Sequence, residues 1–165
     1  MTVVLGGVGV VAVLAAISTL LLAAGTPPAQ PACVPPRLPG AVVDVTLAGG
    51  PPMPMGHLRV WPRRVPAGTV TIRALSAGPG THEVAVLPLP WGHIPGERPV
   101  GPDGTVDETG LLGEASNPCH AGTGAGLRPG SPGWVTLTLP PGRYELVCNV
   151  PVHYAAGMYA ELSVR

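Results

Sequence analysis

Cys148, His153 and Met158 recur at five-residue steps in the run Cys-Asn-Val-Pro-Val-His-Tyr-Ala-Ala-Gly-Met near the end of the chain. A thiol, an imidazole and a thioether on one short segment can converge if the segment folds back as a loop. Soft sulfur with imidazole suits copper, and a trigonal set of two His and one Cys with a long axial Met is a geometry for one-electron transfer. That geometry needs a second His. His82, in the alternating stretch Thr-His-Glu-Val-Ala-Val-Leu, is the best candidate. His57, His93 and His120 are its rivals, of which His93 and His120 fall in Gly/Pro-rich loops that hold a ligand less rigidly. A metal-free reading assigns Cys148 to the core, His153 to a surface loop and Met158 to core filling.

The elements around these residues are short and β-like. Residues 41–47, 69–75, 82–87, 134–139, 143–148 and 158–164 are strand candidates, and residues 57–61 are a short one. Strands punctuated by turns, with no sustained helical period, predict an all-β Greek-key sandwich over residues 41–165. The 24 Gly and 23 Pro among 165 residues then belong to loops of a compact β protein, because 45% of the chain is hydrophobic. Residues 88–132 form a long Gly/Pro-rich stretch that predicts a functional loop or hidden structure, with a short helical turn over 107–115. Tyr144, just after Pro-Pro-Gly-Arg, is a candidate tyrosine corner or an ordinary core residue.

The ligand loop resembles that of the cupredoxins, and its Cys-x4-His-x4-Met spacing resembles the sulfocyanin and rusticyanin branch. Val65-Pro66-Ala67-Gly68-Thr69-Val70-Thr71 resembles the strand before the first copper His of that family, and Pro141-Gly142-Arg143-Tyr144-Glu145-Leu146-Val147-Cys148 resembles the strand that delivers the Cys. Val152 stands where such proteins often have Gly. Ile72 and Ser76 stand where they often have an aromatic and an Asn. The resemblance implies one copper ion cycling between Cu(I) and Cu(II), held by His82, Cys148, His153 and Met158. It also implies that the ring edge of His153 is the electron's way out, within an apolar apron of Pro151, Val152, Tyr154 and Ala155.

Around the ligands, Ser76, Glu83 and Asn149 are candidate bracing residues: a bond fixing the loop is expected of Asn149, a solvated position of Glu83. Met53-Pro54-Met55-Gly56-His57 offers a second, labile Cu(I) site, against which stands a loop with no metal. Cys119-His120 lacks the partners a zinc site needs.

Residues 3–24 contain no charged side chain and span about 33 Å as a helix. They read as an N-terminal hydrophobic helix, either a membrane anchor or a secretory signal, so residues 1–25 form one segment and the Pro/Ala-rich residues 26–40 a tether. Both readings place the domain on the extracytoplasmic side. There Cys33 and Cys119 could pair, and closing that loop would contribute on the order of 4 kcal/mol; two unpaired thiols are the alternative.

Nine Arg balance nine acids, and no basic stripe marks a nucleic-acid surface. No open coordination position is left for a small-molecule substrate, so electron transfer rather than enzymatic turnover is expected. Partners would be redox proteins such as cytochromes or a terminal oxidase. Copper delivery or storage is the alternative, and a metal-free Greek-key binding module is a third reading.

Overall fold

The computed structural model describes residues 33–49 and 56–165, and these form nine strands in two sheets. The proposed N-terminal helix, Met53 and Met55 lie outside the described residues. The first sheet has the order β2-β1-β4-β7, with β1 Ala41–Gly49, β2 Gly56–Trp61, β4 Gly68–Ser76 and β7 Pro132–Leu139. The second has the order β3-β9-β8-β5-β6, with β3 Arg64–Val65, β5 Val84–Pro88, β6 Gly113–Ala115, β8 Gly142–Val147 and β9 Tyr159–Val164. β1 runs parallel to β4 and β3 parallel to β9; the other pairs are antiparallel.

Alternation decides which side chains enter the core. β2 buries every second residue, as do β1 from Val43 onward and β9 from Ala160 onward. Val43, Val45 and Leu47 meet Val70, Ile72 and Ala74 of the same sheet and Val84, Val86, Leu146 and Leu162 of the other. Tyr144 sits where the chain crosses from β7 to β8, and its hydroxyl donates to the Pro140 carbonyl at 2.7 Å. It is therefore a tyrosine corner, anchoring that crossing.

β5 and β8 do not alternate; both bury residues on two faces. The cause is the long segment that follows β5. It lays Val106 over Ala85, Leu87 and Val147, with Tyr154 completing a second apolar cluster outside the main core. The segment holds itself in place with the short strand β6 and bridges pairing Val100 with Val106, His82 with Leu127 and Ala121 with Trp134. Where a helical turn was expected over residues 107–115, the chain makes a turn and then β6. The physical reason is pairing: β6 extends the second sheet along β5, an attachment that local propensity does not report.

Cys33 and Cys119 form a disulfide across 86 residues of sequence, fastening the end of the tether to that same segment. In the chain-entropy view such a loop closure stabilises the fold by about 4 kcal/mol.

Candidate metal centre

His82, Cys148 and His153 meet at one end of the sandwich, all buried. Each reaches the site by a different device. His82 lies two residues ahead of β5, which starts at Val84 and not at residue 82 as expected. Its backbone is clamped on both sides, with His82 N–H donating to Leu127 O at 3.0 Å and Leu127 N–H returning to His82 O at 2.6 Å. Upstream, the Ser76 hydroxyl donates to Gly80 O at 3.3 Å, closing the turn that feeds His82 into the site. Gly78 leaves room for the ring: a Cβ there would stand 3.1 Å from His82 Nε2.

Cys148 follows the last residue of β8. Its amide donates to Met158 O at 3.0 Å, and its Sγ accepts the Glu83 N–H at 3.5 Å. An amide aimed at the sulfur favours the thiolate that a metal requires. His153 rides the turn between them, with its amide on Val150 O and its own carbonyl accepting Met158 N–H at 3.1 Å. The backbone of Met158 thus ties both ends of the loop together. Its side chain is fully buried and packs on Gly56.

The donor atoms fit a metal. Cys148 Sγ is 3.3 Å from His153 Nδ1 and 3.9 Å from His82 Nδ1, and the three ligand atoms lie within 4.8 Å of one another. Metal–N and metal–S bonds of about 2.0–2.3 Å produce edges of roughly 3.5–3.7 Å in a trigonal plane. The imidazole rings are tilted at 48° with centroids 5.1 Å apart. His82 Nε2 is buried with no hydrogen-bond partner. Burial, with the neighbouring His153, lowers the His82 pKa to about 4, and burial lowers that of His153. Both rings are therefore neutral and ready to ligate. Burial pushes the Cys148 thiol up to about 12, so a metal must displace its proton.

The surroundings correct two expectations. Glu83 is not a solvated residue: it is half-buried near Glu114 and Glu108, and burial, then those carboxylates, raise its pKa to about 7. Tyr154 is not part of a surface apron. It is buried, with its hydroxyl donating to Glu145 Oε1 at 2.9 Å and accepting the Arg98 N–H at 3.1 Å. Buried Glu145 also accepts Arg98 Nε at 2.6 Å and the Gly96 amide at 2.8 Å. The outward apolar residues of the loop are Pro151, Val152 and Ala155. Val152 has φ +66°, the left-handed region that costs a β-branched residue strain and that Gly adopts freely. The loop thus keeps a glycine-type backbone at this position without the glycine.

Asn149 braces the loop as expected. Its Oδ1 accepts Val106 N–H at 2.7 Å, and its Nδ2 donates to Val106 O and to Glu108 Oε1. His57, His93 and His120 are exposed, and Cys119 is in the disulfide, so none of them joins the cluster. Gly56, Glu83 through its main-chain amide, and Gly104, whose carbonyl accepts Val152 N–H at 2.8 Å, contribute to the site without having been singled out for these roles. Only the position of Gly56 beside two Met residues hinted at a contact of this kind.

No protein-family pattern matches the chain, and no curated protein does. Among solved structures, it is similar to Na-dithionite reduced auracyanin from the photosynthetic bacterium Roseiflexus castenholzii, at 23% identity over 76% of this chain and 99% of that one, with a TM-score of 0.48. It is similar to reduced rusticyanin at 23% identity over 77% and 81%, TM-score 0.48. Rusticyanin from Thiobacillus ferrooxidans matches at 24% identity over 77% and 79%, TM-score 0.47. The two-sheet sandwich holds His82, Cys148 and His153 as one buried cluster, with Met158 closing the loop.

Proposed function

We propose that the domain is a one-electron carrier built on a single type 1 copper site, which His82, Cys148, His153 and Met158 would hold. The observation that carries this reading is the buried convergence of two Nδ1 atoms and one Sγ within 4.8 Å. Copper bound there would supply a one-electron couple between Cu(I) and Cu(II). The protein's part is to hold the donors still. The His82–Leu127 bridge, the Met158 clamp and the Asn149 brace fix the backbone of each segment, so little need move as charge changes. Two imidazoles, a thiolate and a thioether would fill the coordination sphere of one copper, which favours electron transfer over catalysis.

The Cys33–Cys119 disulfide and the apolar residues 3–24 support an extracytoplasmic location, anchored to the membrane or released from it. Cytochromes or a terminal oxidase would be the exchange partners. Copper delivery or storage is the alternative reading, and Met53 and Met55, on which it draws, lie outside the described residues. Loading the full chain with Cu(II) tests the reading. An intense visible band from thiolate charge transfer is expected, lost in Cys148→Ser, while Met158→Leu keeps copper and shifts the potential. Undiminished colour in Cys148→Ser overturns the ligand set.

A further inference from the structure

The formal charge of the chain is zero, yet its charges are sorted by position. Residues 99–127 carry four acids, Asp103, Asp107, Glu108 and Glu114, and no arginine. The ligand loop, residues 148–158, carries no Asp, Glu, Lys or Arg. These two segments are bound to each other: Val152 N–H donates to Gly104 O, and Asn149 bonds Val106 and Glu108. Asp103 is therefore next in sequence to a residue that touches Val152, and Asp103 and Asp107 are exposed.

The other end of the sandwich is basic. Arg63, Arg64, Arg143 and Arg165 line one cleft of about 680 Å³, with Glu161 as the one acid there. Arg143 and Cys148 stand at opposite ends of β8, roughly 17 Å apart at about 3.3 Å per residue. Three arginines lie nearer the loop, among them exposed Arg59 on β2, about 10 Å along the strand from Gly56, which bonds Ala156. Arg98 is tied to buried Glu145, and Arg128 follows Leu127 on the His82 side. Arg98 offsets Asp107 in part, favouring its ionised form, and the three acids Asp103, Asp107 and Glu108 still leave the rim net negative.

We infer that the ligand-loop face docks a redox protein whose own docking face is basic, with Asp103, Asp107 and Glu108 as the rim that orients it over Val152. This rests on the electron-carrier reading of the same site. Pro151, Val152 and Ala155 provide a small apolar contact, which suits a short-lived encounter. Charges at the rim raise the encounter rate and set orientation, and salt screens them. The basic far end adds to the effect, because a neutral molecule with separated charge turns its acidic end toward a cation.

Small redox probes of opposite charge test the face in the copper-loaded full chain. In each reaction one electron leaves the Cu(I) site, giving Cu(II) and a reduced probe. Oxidation by cationic tris(phenanthroline)cobalt(III) should slow as ionic strength rises, and oxidation by anionic hexacyanoferrate(III) should not. Asp103→Asn with Asp107→Asn should lower the low-salt cobalt rate by roughly threefold or more, with the visible band unchanged. Arg63→Gln with Arg64→Gln, remote from the face, should move the cobalt rate less than the double Asp variant does. A blue protein whose cobalt rate ignores salt, or whose double Asp variant matches the parent, overturns the inference. A chain that never turns blue instead counts against the copper reading. The face then remains testable by adding a lysine-rich c-type haem protein and following the Gly104 and Val152 amides by NMR. Shifts in the parent that vanish in the double Asp variant support a basic partner; unshifted amides in the parent refute it.

Discussion

Gly56 is the seat of Met158: a Cβ at position 56 would stand 2.1 Å from Met158 Cγ and 2.8 Å from its Sδ. Contacts that short do not exist in proteins, so a side chain there must push the thioether aside. Gly56→Ala should therefore retain the two His and the Cys but displace the Met158 sulfur. The expected result is a coloured protein with a shifted potential and stability lower by about 1–3 kcal/mol, the usual cost of overpacking. Voltammetry and thermal melting check it. A variant with the parent's potential would show that Met158 has room to yield without changing the site.

Val152 holds φ +66° with an exposed side chain. For a β-branched residue that backbone costs roughly 1–2 kcal/mol, whereas Gly adopts it freely but loses about 0.5–1 kcal/mol through the unfolded chain. Val152→Gly should thus be neutral or stabilising by up to about 1.5 kcal/mol, the opposite of an ordinary Val-to-Gly change. Melting of the two proteins under one buffer decides it, and clear destabilisation would mean that the Val152 side chain contributes packing that outweighs the strain.

Metal uptake should depend on pH through Cys148. Its thiol is pushed up to about 12, while His82 is down at about 4 and His153 is lowered from its usual value. Above about pH 6.5 the rings carry no extra protons, so each ion displaces one proton, from sulfur. Affinity should then rise tenfold per pH unit, roughly 300-fold between about pH 6.5 and 9. Competition with a chelator of known pH dependence measures this. Affinity that stays flat over the interval would place the thiol already ionised in the metal-free protein.

Much of this architecture is legible in the residue order. Alternation located β1, β4, β7 and β9 to within a few residues, because one face of each meets the core and the other faces outward or is only partly covered. The Cys-x4-His-x4-Met spacing located the ligand loop, because a turn of that length brings its own ends together. What stayed hidden depends on covering rather than period. Glu83 and Tyr154 read as outward residues on local grounds. They become buried only when the segment after β5 folds over the outside of β5 and β8. That segment has no apolar period, because side-chain to main-chain bonds such as Asp103 with Thr105 and Asp107 with Thr109 hold it instead. Gly56 carries no side chain, so nothing local announces the contact it permits.

Glu83 and His82 are adjacent and titrate in opposition. Burial with nearby Glu114 and Glu108 raises the Glu83 carboxyl to about 7, so between its ordinary 4.5 and 7 the folded chain keeps a proton that the unfolded chain has lost. Stability therefore falls with rising pH across that window, by roughly 3 kcal/mol at most. Burial lowers His82 from 6.5 to about 4, so between those values the unfolded chain holds the extra proton and stability rises with pH by a similar amount. In the copper-free parent the two slopes nearly cancel over their shared range, about pH 4.5 to 6.5. Glu83→Gln removes one of them while keeping the main-chain N–H that reaches Cys148 Sγ. The variant should gain stability steadily from pH 4.5 to 6.5 where the parent is nearly flat, and above pH 7 it should be the more stable protein. Denaturant midpoints of both proteins across this range carry the test; identical profiles would mean that the carboxyl at position 83 titrates normally and that the segment over β5 leaves it in water.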